Sequence, residues 1–293
     1  MNHADQHNLN PDIESAVFSD INALHRAFLL THNNMTYFGV NNNVACKYPQ
    51  IYPDDLYGQL IAIHNYPKST EVTYKKIGLQ QKQEIFSNIT ESSEVTYPFP
   101  VMDATGNPAI TPNEWWESIE PNKLDQNENE LRQTIIENLS KWLSKTEELI
   151  AYDPACSTGE FLVQYKHQFP NSKLVASDVS PIMVAYAKNK IERVFVSDAQ
   201  YSEKYLTENV DVLFLRFLNY EVVTAAKCLN TIEALLKIIN ENGFIVVFGY
   251  TPVLPSVPST ICNLGFYLVN RVLKVTNSDS LVQAYIFKKI SLP

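Results

Sequence analysis

Glycine is scarce in this chain, with eight in 293 residues. No G-x-G-x-x-G run and no Gly-Lys-Ser/Thr loop occurs, which excludes the usual dinucleotide and P-loop phosphate cradles. The four cysteines, Cys46, Cys156, Cys228 and Cys262, are widely spaced, without a C-x-x-C pair or a Cys/His cluster at metal-ligand spacing. A structural metal site is therefore not expected, and the thiols read as reduced and mostly buried, as in a cytoplasmic protein. No apolar run approaches the roughly 18 residues needed to span a bilayer. The start, MNHADQHNLNPDIE, is polar and acidic rather than signal-like. Positive charge is also short: 23 basic against 32 acidic residues leave a net charge of −9, and the densest basic spots are the pairs Lys75-Lys76 and Lys288-Lys289. Nucleic acid is a poor candidate partner for such a surface.

What is present divides into two halves. In residues 1–147 the apolar positions Ile13, Val17, Ile21, Leu24 and Phe28 recur every three or four residues and predict an amphipathic helix. YPDDLYGQLIAIHNYP and STEVTYKKIGLQQKQEIFSNI read as two further helices, NEWWESI as a short one, and Leu131, Ile135, Leu139, Trp142 and Leu143 line a long one from about 124 to 145. The expectation is a mainly helical N-terminal cap. From residue 148 to 293, β-rich runs (LIAYD, KLVASD, RVFVSD, VDVLFLRF, GFIVVFGY) alternate with helical stretches, implying right-handed βαβ units and a parallel sheet. Two final β-rich runs, GFYLVNRVLKVT and SLVQAYIFKKI, form a hairpin around Asn277-Ser278-Asp279, so the last strand is antiparallel.

Three of the parallel strands end in an acid: Asp153, Asp178 and Asp198. Ligands of open α/β sheets sit beyond the carboxyl ends of the strands. After the first strand comes PACSTG, whose small residues Ala155, Cys156 and Gly159 let a ligand approach a helix N-terminus. Asp178 follows Gly159 by 19 residues, where a carboxylate can accept from both ribose hydroxyls, and Asp198 follows 20 residues later, within reach of a purine amino group. Each acid alone is more often a helix cap than a ligand contact.

As a set, these motifs resemble the class I S-adenosyl-L-methionine-dependent methyltransferase family. YDPACSTGEF is similar to its first motif, VASDVSPIMVAYAKNK to the second and VFVSDAQ to the third; VDVLFLRFLNY occupies the place of the fourth. The resemblance covers about residues 149–293. It implies an α/β, Rossmann-like sheet with a reversed final strand, and S-adenosyl-L-methionine as the cofactor, bound by Asp153, Ala155, Cys156, Gly159, Asp178, Val179, Met183, Asp198, Ala199 and Arg216, with no metal. That cofactor carries no phosphate, so a loop with one glycine suffices.

The fourth strand ends in Arg216, with Asn219 and Tyr220 just beyond, and these three are the candidate catalytic residues. The Asn/Asp-Pro-Pro-Tyr/Phe signature of enzymes that methylate base amino groups is missing here. Arg216 interrupts an apolar strand and needs an anion: either a neighbouring acid such as Asp153 or Glu221, or the carboxylate of the cofactor or of an amino-acid-like substrate. The cap aromatics Tyr37, Phe38, Tyr97, Phe99, Trp115 and Trp116 are either core or cation–π partners for the sulfonium. His25, His32 and His64 are candidate bases, each with a structural alternative. The leading expectation is a methyltransferase of secondary metabolism acting on a small molecule. Against it stand enzymes of the same fold that move the 3-amino-3-carboxypropyl arm, such as isonocardicin synthase and the azetidine-2-carboxylate synthases, the latter by intramolecular ring closure with release of methylthioadenosine. A non-catalytic cofactor-binding protein is the third reading.

Overall fold

A computed structural model of the chain describes residues 12–19, 26–41, 51–90, 92–99, 105, 107, 110–249, 253–276 and 281–289, with 121–127 as backbone only. The N-terminal half is built mainly from strands, which corrects the expected helical cap. Strands β1 (Ile13–Phe18), β2 (Ala27–His32), β3 (Met35–Val40), β4 (Leu56–Tyr66), β5 (Ser69–Lys76) and β6 (Glu94–Thr96) form an antiparallel sheet in the order β1-β5-β4-β3-β2-β6.

The physical signals for these strands lie in turns and parity. A four-residue spacing is also an even number, so Ile13 and Val17 share one face of β1 as readily as one face of a helix. In β5, Thr70, Val72 and Tyr74 are buried while their neighbours are less so, a strict period of two. Asn33 and Asn34 have φ of 49° and 62° and join β2 to β3 opposite the His32–Met35 pair, a two-residue turn that asparagine tolerates. Tyr66 pairs with Ser69 across Pro67-Lys68 in the same way. YPDDLYGQLIAIHNYP is therefore a single 3₁₀ turn at Pro53–Asp55 followed by β4, and only the end of the third expected helix is helical, as α1 (Leu79–Ser87). The short helix α2 (Asn113–Glu117) forms where NEWWESI predicts it, and the long one is α3 (Pro121–Leu139).

The second sheet has seven strands: β7 (Ile150–Asp153), β8 (Lys173–Asp178), β9 (Arg193–Val196), β10 (Val210–Arg216), β11 (Ile239–Gly249), β12 (Phe266–Val275) and β13 (Leu281–Lys289), in the order β12-β13-β11-β10-β7-β8-β9. The five strands β7 to β11 pair in parallel, and β13 runs antiparallel to both β11 and β12. Both faces are covered, as a parallel sheet requires. On one face, α3 and α4 (Glu160–Gln168) contribute Leu131, Ile135, Leu139, Phe161 and Tyr165, joined by α5 (Pro181–Ala187). On the other face, α6 (Ala225–Leu236) and α7 (Ser256–Asn263) contribute Ile232, Leu235, Val257 and Ile261. Helix α3 precedes residue 148 yet belongs to the core of this larger sheet. Among the described residues, no helix is long and apolar enough to cross a membrane.

The small sheet docks on the β12–β13 hairpin. Phe28, Leu30, Tyr37, Ile85 and Val95 share an apolar cluster with Leu273 and Leu281. Buried Gln283 brackets Val95, accepting from its N–H at 2.8 Å and donating to its carbonyl at 3.0 Å. Tyr285 donates to Glu94 at 2.5 Å. Gln283 lies opposite Gly249, the last residue of β11, so this contact sits at the carboxyl edge of the parallel strands.

Candidate active site

The order of the large sheet reverses between β7 and β10, and ligands of such sheets enter at that switch point. Strand β7 delivers Asp153, fully buried, into a tight loop in which Ser157 (φ 51°) and Gly159 (φ 80°) take left-handed conformations before α4 begins. The Cys156 N–H donates to the Ser177 carbonyl at 2.9 Å, tying this loop to β8. Asp178 closes the junction: its two oxygens accept from Ser157 N–H and Ser180 N–H, both at 2.9 Å. Burial pushes the Asp178 carboxyl up, and those backbone bonds counter it. Beside it, Val179 and Ile182 are each 48% exposed, apolar surface at the mouth that a flat aromatic group would cover.

Arg216 at the end of β10 is buried among acids and a carbonyl of the chain. Its Nε lies 2.9 Å from Asp153 Oδ2, Nη2 donates to the Ala155 carbonyl at 2.7 Å, and Nη1 is 3.4 Å from Glu128 Oε2. Glu128 in turn pairs with Arg132 at 2.9 Å, one helical turn along α3. Burial opposes the guanidinium's charge, but Asp153 and Glu128 outweigh it and push its pKa up. Of the two readings for Arg216, the geometry has the ion pair with Asp153; its three nitrogens all face protein acceptors rather than a ligand carboxylate. Two plus and two minus charges in one buried quartet leave no net charge, the condition under which such groups are tolerated.

The remaining candidates are placed as follows. Asn219 is buried, and its Oδ1 accepts from the N–H groups of Glu221 and Val222, shaping the chain after Phe217 (φ 52°). Tyr220 is half-buried against the α6–α7 face. Met183 is buried, 3.7 Å from Ser157 Oγ, and Ala199 packs on the same core as Tyr220. Asp198 caps the following turn through Gln200 N–H at 3.2 Å and pairs with Lys227 at 2.8 Å. His32 is buried between Ser93 and Asn33, so it has the structural role, and His64 lies on β4; His25 falls outside the described residues. Tyr37 and Phe38 are core residues of the small sheet, and Phe99 packs beside Phe38. Trp115 and Trp116 pack edge to face at 4.7 Å on α2, which is tied to the Asp178 side by a hydrogen bond from Ser180 to Glu117. Among the described residues, no cluster of His, Cys, Asp and Glu could hold a metal ion.

Three contributors escaped sequence reasoning: Glu128, Arg132 and Glu117; Glu221, expected as an alternative partner of Arg216, does not pair with it among the described residues, where Asp153 and Glu128 do. The Glu128-Arg132 spacing of four was a visible ion-pair signal, but nothing in it indicates burial.

Residues 152–247 match the methyltransferase domain family model, from β7 through β11. Isonocardicin synthase of Nocardia uniformis subsp. tsuyamanensis is 27% identical over 221 residues, covering 74% of this chain and 72% of that protein. Among solved structures, the N-methyltransferase NodS of Bradyrhizobium japonicum, in complex with S-adenosyl-L-homocysteine, aligns at TM-score 0.46 and 14% identity over 56% of this chain and 89% of its own. A putative O-methyltransferase of Nostoc punctiforme aligns at 0.43 and 17% identity over 54% and 55%.

Residues 152–247, within the parallel sheet, thus resemble a methyltransferase domain. The chain is accordingly an S-adenosyl-L-methionine-dependent transferase. The residues fit that cofactor: the mouth offers a carboxylate, a small-residue loop and exposed apolar side chains.

Proposed function

We propose that the chain moves the 3-amino-3-carboxypropyl arm of S-adenosyl-L-methionine onto a small molecule in a biosynthetic reaction. One observation carries this reading. The similarity to isonocardicin synthase spans 74% of the chain, more than the half that residues 148–293 represent, so it extends into the N-terminal half. That half supplies the small sheet. The match of residues 152–247 to a methyltransferase domain favours methyl transfer as the second reading.

The sulfonium of the cofactor supplies electrophilic carbons, and the protein has to present the chosen one to a nucleophile. Asp178 and the loop from Pro154 to Gly159 position the nucleoside end, with Asp178 exchanging backbone donors for ribose hydroxyls. The Asp153–Arg216–Glu128–Arg132 quartet holds that loop rigid from beneath. The docked small sheet and α2 close the crevice from the side and exclude water, which suits a small acceptor. A chain of net charge −9 without a basic stripe does not offer a nucleic-acid surface.

The test is to incubate the full chain with S-adenosyl-L-methionine and a dialysable cell extract, then identify the nucleoside product by mass spectrometry. Methylthioadenosine above the enzyme-free background is the expected outcome. S-adenosylhomocysteine in its place would establish methyl transfer. Methylthioadenosine formed without any extract would point to intramolecular cyclisation, and no binding of the cofactor in calorimetry would overturn the cofactor assignment.

A further inference from the structure

At one end of the small sheet, four elements bring polar side chains toward the end of β10. Arg26 precedes β2, Asn41 follows β3, and the two are joined by a 2.9 Å bond from Asn41 N–H to the Arg26 carbonyl. Asp55 ends the 3₁₀ turn before β4, and Tyr97 follows β6. Glu221 faces them from beyond β10, its backbone fixed by Asn219 Oδ1 and by a 2.8 Å bond from Thr111 N–H to its carbonyl.

Asp55 is spent on the turn, accepting from Tyr52 N–H at 2.9 Å. Three other groups are not spent. The Tyr97 hydroxyl is shut off from solvent and makes no hydrogen bond; Asn41 lies near enough to favour its ionised form but does not meet hydrogen-bond geometry. Arg26 and Glu221 are both half-buried and feel each other's charge, yet among the described residues neither side chain makes an ion pair or hydrogen bond. The charge of Glu221 also reaches Tyr97. Leaving a buried polar group unpaired costs about 1–3 kcal/mol, more for a charged one. Of the three, Tyr97 bears that cost, and a ligand that pairs it together with the half-buried Arg26 and Glu221 would relieve it.

We infer that Arg26, Tyr97 and Glu221 form the acceptor site, and that the acceptor is an amino-acid-like small molecule. This rests on the chain being an S-adenosyl-L-methionine-dependent transferase, and it holds for either transferred group. Arg26 takes the acceptor's carboxylate. Tyr97 donates to a polar atom of the acceptor, and Glu221 faces its nucleophilic N–H or O–H. In the step itself, the nucleophile's lone pair forms the bond to the electrophilic carbon. The carbon–sulfur bond breaks with its electron pair passing to sulfur, and the acceptor's proton goes to the Glu221 carboxylate.

The experiment uses the full chain with S-adenosyl-L-methionine and each of the twenty free protein amino acids, reading release of methylthioadenosine or S-adenosylhomocysteine. At least one amino acid should raise release about tenfold or more over the cofactor alone, and its decarboxylated amine should not. Arg26→Gln should raise the KM for that amino acid about tenfold or more, the scale of a lost bond to a charged group, with little change in kcat. Tyr97→Phe should raise it less. Glu221→Gln should lower kcat by about 10²-fold or more and abolish the acid limb of the pH profile. Each variant should bind S-adenosyl-L-methionine within about twofold of the parent in calorimetry, showing that the fold is intact. If the cofactor binds but no amino acid stimulates release, or the amine serves equally well, or Arg26→Gln leaves KM unchanged, this inference is overturned while the transferase reading stands. If the cofactor itself does not bind, the transferase reading fails first.

Discussion

Gly159 opens the first helix of the cofactor domain with φ 80°, and a Cβ there would lie 2.9 Å from Ile191 Cδ1 and 3.2 Å from Ala187 Cβ. A side chain at that position meets both backbone strain and a crowded α5. Gly159→Ala should cost about 1–2 kcal/mol from the left-handed backbone alone. It should also tilt the loop that Asp178 holds, so S-adenosyl-L-methionine should bind about tenfold or more weakly, as measured by calorimetry beside a urea titration of the free protein. Glu221 permits a prediction of opposite sign. Burial pushes its carboxyl above the ordinary glutamate value, with Arg26 only partly countering. Between the ordinary value and the raised one, the folded chain binds more protons than the unfolded chain, so stability falls as pH rises through that window and stays lost above it. Glu221→Gln removes that loss. The variant should therefore show a higher Tm than the parent at pH 8 and no gain at pH 4; a gain equal at both would mean the carboxylate carries no burial penalty.

At the scale of elements, the contrast between the two halves lies in how each kind of signal is written. The parallel strands are near-continuous apolar runs ending in acids, and IAYD, KLVASD and VDVLFLR read correctly because their helices intervene at the required length. In the N-terminal half, the decisive marks are the Asn33-Asn34 turn, the Pro67-Lys68 turn and the alternation in STEVTYKK. An i, i+4 pair of apolar residues fits either period, so the apolar spacing of β1 and β2 predicts a helix where strands form. The proposed cofactor loop is legible because its acids follow one another at strand ends. The proposed acceptor side is not, because Arg26, Tyr97 and Glu221 belong to elements far apart in sequence that come together only when the small sheet docks. That docking depends on β6, a strand of three residues. Its anchor is Gln283, whose amide both accepts from and donates to Val95. Gln283→Ala leaves both backbone groups of Val95 without these partners at a buried position, and should cost about 1–3 kcal/mol. Hydrogen exchange of residues 94–97 should accelerate more than that of β7 and β8; uniform acceleration would show that the two sheets unfold as one unit.

On the scale of the whole molecule, the cofactor half does not carry its own charge balance. Arg216 and Asp153 belong to residues 148–293, but Glu128 and Arg132 stand on α3, as do Leu131, Ile135 and Leu139 of the core against α4. A fragment beginning at residue 148 keeps the parallel sheet and every residue of the cofactor loop, yet it loses two members of the buried quartet and uncovers one face of its sheet. Removing one side of a buried ion network costs about 3–5 kcal/mol, comparable to a large part of a domain's whole stability. The fragment should therefore fail to bind S-adenosyl-L-methionine, and a fragment beginning at residue 112, which restores α2 and α3, should recover binding even without the small sheet. The acceptor-dependent step should remain absent from both, since Arg26 and Tyr97 lie before residue 112. Calorimetry and product analysis on the two fragments separate these contributions: binding by the shorter one would show that α3 is dispensable to the loop. Turnover by the longer one with an amino acid would show that the small sheet is not where the acceptor is held.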